Sequence, residues 1–68
     1  MSYVLKQDKA KEIKKKYLGT YLAETLGITR GYMSRLLNGK VKCPKTTAYA
    51  FTKIVDRDLE IDDLFERV

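Results

Sequence analysis

Arg30, Ser34 and Arg35 are the residues whose types and spacing are best suited to chemistry, and that chemistry is anion recognition. At helical spacing Arg30, Gly31, Ser34, Arg35 and Asn38 fall on one side of a helix, while Met33, Leu36 and Leu37 fall on the other. The polar side holds no carboxylate, so guanidinium forks and small donors are free to lie against a negative surface. Lys40, Lys42 and Lys45 follow directly and extend the positive charge. Other chemistries lack their residues. The chain has no histidine and only one cysteine, Cys43, so the ligand set of structural zinc, histidine-based triads and an internal disulfide are all excluded. The acidic run from Asp56 to Asp62 has the spacing of a calcium loop but fails at its fixed positions, where Ile61 replaces glycine and Arg67 replaces glutamate.

The elements that position these residues must come from a short chain. At 68 residues it is read as one domain, 1–68, with room for only a marginal core and little for a deep pocket. An apolar fraction of 44% and a charged fraction of 34% are those of a chain that folds. The net charge of +5 is unevenly spread: residues 1–53 carry +9 and residues 54–68 carry −4. A basic body with an acidic tail suits a polyanionic partner, either nucleic acid or an anionic membrane surface. The membrane reading is the weaker, because the lysine-rich first helix has a narrow apolar stripe without bulky anchors. Its lysines are equally well explained as a solvated face, with Lys14, Lys15 and Lys16 favoured by the helix dipole. No apolar run approaches a membrane span, and Tyr3-Val4-Leu5 is too short for a signal-peptide core. With one unpaired thiol, expected to be buried or in a loop, this points to a reducing cytoplasm.

Periodicity predicts five helices and no strand. The first runs from Asp8, as cap, to Lys16, with Ala10, Ile13 and Tyr17 on one stripe; the second spans about Gly19 to Leu26 and stops at Gly27. Thr29 caps a third helix from Arg30 to about Leu37, which Asn38-Gly39 closes, both residues tolerating positive φ. Pro44 suits the first turn of a fourth helix reaching about Asp56, and a short fifth from about Ile61 buries Ile61, Leu64 and Phe65. The fold class expected is therefore all-α, a compact five-helix domain.

Within it, residues 19–38 resemble the helix-turn-helix of the phage lambda repressor and Cro family, also called the XRE type. That motif has alanine fifth, glycine ninth, and apolar residues fourth, eighth, tenth, fifteenth and eighteenth; counted from Gly19, this chain places Ala23, Gly27, Leu22, Leu26, Ile28, Met33 and Leu36 there. Alanine lets the helices approach, glycine makes the turn, and the apolar residues hold the crossing. Asn38-Gly39 is similar to the pair ending the family's recognition helix, and Leu59-Glu-Ile-Asp-Asp-Leu-Phe65 is similar to its closing segment. Leu37 stands where many members carry glutamate, which suits a further core contact. The family usually opens its second helix with Ser-Gln, the glutamine contacting phosphate; here Leu18-Gly19 replaces that pair, leaving Thr20, Tyr21 or backbone amides to substitute.

The resemblance implies a sequence-specific, double-stranded-DNA-binding transcriptional regulator, Cro-like or a minimal phage or prophage repressor, with its third helix in the major groove. By matched position Thr29, Arg30, Gly31, Ser34 and Arg35 read bases, an arginine to guanine pair discriminating by about 1–3 kcal/mol. Tyr32 sits at the edge of the face, where a phosphate contact and packing on the domain both fit. Gly31 costs the helix roughly 1 kcal/mol relative to alanine; close approach to the groove compensates, or the glycine is incidental. Phosphate contacts fall to Thr20, Tyr21, Tyr32, Asn38, Lys40, Lys42 and Lys45, with the first-helix lysines as second choice. The implied target is a pseudo-palindromic operator bound by a homodimer formed in solution or only on DNA, with Tyr3, Val4 or the C-terminus as its apolar surface. No cofactor, small-molecule ligand or enzymatic activity is expected. The alternative is a protein-interaction module on the same fold, such as an antitoxin, antirepressor or polymerase-binding factor.

Overall fold

The computed structural model describes residues 1–68 in the order β1 (Ser2–Leu5), α1 (Gln7–Lys16), α2 (Gly19–Leu26), α3 (Arg30–Leu37), β2 (Cys43–Pro44), α4 (Lys45–Val55), α5 (Ile61–Leu64) and β3 (Phe65–Arg67). The five helices stand close to their expected places, but the fold is α+β and not all-α: 60% of the chain is helical and 13% is strand. The strands form one antiparallel sheet in the order β2-β1-β3. Its register pairs Tyr3 with Cys43 on one side, and Tyr3 with Arg67, Val4 with Glu66 and Leu5 with Phe65 on the other.

Tyr3-Val4-Leu5 are strand formers, and they alternate as strands do: Tyr3 and Leu5 are buried, Ser2 and Val4 half-buried. With strands of four, two and three residues, none is long enough to display a period of two, which is why helical periodicity dominates the sequence. The sheet corrects two further expectations. Phe65 does not belong to the last helix, which is a single turn held by reciprocal hydrogen bonds between Glu60 and Asp63; it is buried from β3, edge-on to Phe51 with ring centroids 5.4 Å apart. Tyr3 and Val4 are not a free dimer surface, because they lie in the central strand and Tyr3 is buried.

Local capping departs from expectation in smaller ways. α1 is preceded by Lys6 and not capped by Asp8, which lies in its first turn. Pro44 ends β2 and precedes α4. The two helix ends that bracket α3 share one geometry. Gly27 takes φ 72°, with its N–H donating to Glu24 (3.2 Å) and that of Ile28 to Ala23 (3.0 Å). Gly39 takes φ 69°, with its N–H donating to Leu36 (3.2 Å) and that of Lys40 to Arg35 (2.9 Å). Both are Schellman closures, in which a left-handed glycine lets the last carbonyls find donors. Asn38 keeps a negative φ, so Gly39 alone carries the left-handed conformation there.

The core joins these elements through Leu5, Leu22, Met33, Leu36, Phe51 and Phe65, each almost fully buried. Thr52, the one buried polar residue, donates its hydroxyl to Ala48 O at 2.8 Å, so its burial leaves no orphan. No helix is long and apolar enough to cross a membrane.

Candidate nucleic-acid interface

α3 is fixed from behind. Met33, Leu36 and Leu37 are buried, and Leu37 packs on the start of α2, where a β-carbon at Gly19 would stand 3.8 Å from it. Leu37 thus supplies the further core contact expected of it. At the front of the helix Thr29 Oγ1 accepts a hydrogen bond from the Tyr32 N–H at 3.1 Å, satisfying one of the amides left open at a helix start. Thr29 therefore has one lone pair engaged in capping and keeps its hydroxyl proton and a second lone pair to offer elsewhere.

With the apolar side anchored, Arg30, Gly31, Ser34, Arg35 and Asn38 are all exposed on the outer side. Tyr32 is not among them: it is half-buried and packs against the core, the second of its two readings. Gly31 has Arg35 for its neighbour. A β-carbon placed there would meet Arg35 Nη1 at 3.5 Å, an ordinary contact, so the guanidinium reaches back one turn to the side of Gly31. Alanine would only touch it, whereas a long side chain at 31 would compete for the strip that Arg35 occupies.

Arg30 and Ser34 also border an open notch of about 360 Å³, lined with them by Lys14, Gly19, Thr20, Asn38 and, at its floor, Met33 and Leu37. Two cations, hydroxyls and an amide surround it without a carboxylate. α2 begins at its edge, and Leu18, preceding that helix, offers no side-chain acceptor to the first amides. Thr20 lines the notch; Tyr21 does not, and instead stacks on Tyr17 (centroids 6.2 Å apart, 12° between planes), whose hydroxyl donates to Val55 O at 3.0 Å.

The basic residues after α3 divide. Lys40 and Lys42 are exposed on either side of half-buried Val41, so both side chains leave the loop on its outer surface. Lys45 opens α4 and lines a separate hollow with Tyr3, Tyr49, Glu60, Ile61 and Asp62, where carboxylates neighbour it. The structure does not bring it to the arginine face.

Two residues hold this region together: Gln7, which sequence reasoning passed over, and Lys14, which it ranked only among the second-choice phosphate contacts of the first helix. Gln7 Nε2 donates to Leu5 O (3.1 Å) and Leu37 O (3.2 Å), tying the end of α3 to the start of α1. Lys14 Nζ donates to Asn38 Oδ1 at 2.6 Å, crossing from α1 to the end of α3. Spacing held a trace of the latter: Lys14 lies next to Ile13 and four residues after Ala10, at the border of the buried stripe. Lys9 and Lys16 belong elsewhere, in a groove shared with Glu12, Asp56, Asp62 and Asp63. The arrangement as a whole is one rigidly backed helix with an acid-free outer face, and a notch beside it suited to oxyanions. No family model, curated protein or solved structure matches the chain, so the likeness to repressor and Cro proteins rests on the residues quoted above.

Proposed function

We propose that the chain is a sequence-specific double-stranded-DNA-binding regulator of transcription, of the repressor and Cro type, that inserts α3 into the major groove. The observation that carries this reading is the outer face of α3, where Arg30, Ser34 and Arg35 are exposed without a neighbouring acid while the inner face is locked into the core. A helix so backed presents guanidiniums at a fixed depth, as bidentate reading of guanine O6 and N7 requires. Arg30 and Arg35 read bases; Gly31 leaves Arg35 its course along the helix; Ser34 contacts a base or phosphate. Thr20, Asn38, Lys40 and Lys42 face the backbone, supplying the salt-dependent part of the affinity. The operator is a pseudo-palindrome bound by two copies. A body measuring 25 × 23 × 20 Å fits one half-site each at the helical-turn spacing of about 34 Å. Such a regulator works in the cytoplasm, on the nucleoid of a bacterial host, and needs neither cofactor nor catalysis.

Selection from a random duplex library tests the proposal. A palindromic consensus, lost in the Arg30→Ala and Arg35→Ala variants, is the expected result. Absence of any enriched site would overturn it in favour of a protein-binding role for the same face.

A further inference from the structure

We infer that the notch between α1, α2 and α3 seats one phosphate of the nucleic-acid backbone, with Lys14 as its principal cation and Asn38 as the positioning residue that aims it. The inference rests on the DNA-binding reading above and assigns within it a contact that motif matching does not supply. Five lysines lie in α1, yet Lys14 alone lines this notch. Lys9 and Lys16 look into the groove that also carries Glu12, Asp56, Asp62 and Asp63, a lining of mixed charge less suited to a phosphate.

The chemistry follows from donors and acceptors. An ammonium group has three donors; the 2.6 Å bond to Asn38 Oδ1 engages one and leaves two for phosphate oxygens. Asn38 lies just past the last turn of α3, so the same bond sets the position of Lys14 relative to the helix that reads bases. A lysine already held loses less freedom when it meets its ligand than a free one does. Around it stand Arg30, Thr20 and Ser34, a second cation and two hydroxyls suited to the remaining oxygens, over an apolar floor of Met33 and Leu37. This adds to the role of Asn38: its Oδ1 positions Lys14, while its Nδ2 donors stay free for a phosphate oxygen.

Fluorescence anisotropy with a labelled random-sequence duplex of about two helical turns provides the test, because phosphate contacts need no operator. Affinity is measured over a range of salt for the full chain and for Lys14→Gln, Lys14→Arg, Asn38→Ala and Lys16→Gln, each checked for an unchanged thermal midpoint. Losing one phosphate contact makes the slope of log K against log salt shallower by about 0.9. That loss is expected for Lys14→Gln, with Lys14→Arg keeping the slope and Lys16→Gln leaving it near the parent value. Asn38→Ala is expected to weaken binding several-fold at nearly unchanged slope, since the charge stays and only its aim is lost. If Lys14→Gln and Lys16→Gln alter the slope equally, the seat is refuted while DNA binding stands. If the parent chain binds no duplex at any salt, the DNA-binding reading falls and takes the seat with it.

Discussion

Replacing Gly39 by alanine probes how the end of α3 is held. Gly39 lies at φ 69°, where an L side chain costs roughly 1–2 kcal/mol. The new β-carbon would also stand 2.8 Å from Gln7 Nε2, so that amide must swing away. Doing so breaks its bonds to Leu5 O and Leu37 O. Gln7 is exposed and water replaces part of the loss, so about 1 kcal/mol for the pair is a fair figure. The sum is about 2–3 kcal/mol, which for a domain this small lowers the thermal midpoint by about 10 °C or more. A double-mutant cycle followed by circular dichroism separates the terms. Gln7→Ala is expected to cost about 1 kcal/mol in the parent and close to nothing in Gly39→Ala, where those hydrogen bonds are already gone. Equal costs in both backgrounds would show that the β-carbon does not displace Gln7, and the reasoning would fail.

Other consequences can be measured directly. Arg30→Ala and Arg35→Ala should each lose about 1–3 kcal/mol of discrimination between operator and mismatched duplex. Gly31→Gln should weaken preference at the base pair that Arg35→Ala affects, read by selection; loss at an unrelated position would separate the two residues. Lys40→Ala and Lys42→Ala should each flatten the salt slope, whereas Lys45→Ala, beside Glu60 and Asp62, should change it much less. Burial in β2 pushes the Cys43 thiol up from 9.0 to about 11. The folded thiol therefore keeps its proton after the unfolded one has lost it, so its contribution to stability is complete below pH 9.0 and is lost as pH rises through about 11. Denaturant unfolding across that window should show a steeper decline in the parent than in Cys43→Ala.

The helices were legible because their cues are local. Gly27, Thr29 and Gly39 set ends by backbone geometry and capping that a few neighbouring residues decide, and α2 ends, and α3 begins and ends, where those residues put them. The sheet was not, because its cause is not local. Nothing near Tyr3 announces that Cys43 and Arg67 will flank it, and four residues carry too little periodicity to signal a strand. The interface divides the same way. Arg30, Ser34 and Arg35 were readable from spacing on one helix, whereas Lys14 stood apart from the other first-helix lysines only once α1 was packed against the end of α3. Lys45 shows the converse: it is close in sequence to Lys42 but turned by β2 and α4 toward an acidic hollow.

The pairing of Val4 with Glu66, and of Ser2 O with the Val68 N–H at 2.8 Å, joins the two ends of the chain. The contacts of α2 with α3 span few residues and can form early, whereas β1 meets β3 only when nearly the whole chain has been gathered. The sheet is thus expected to close last, over an already assembled pair of α2 and α3. Amides of β1 and β3 should then exchange with solvent through partial openings that leave α3 intact, so the chain can loosen at its sheet without surrendering the outer face of α3.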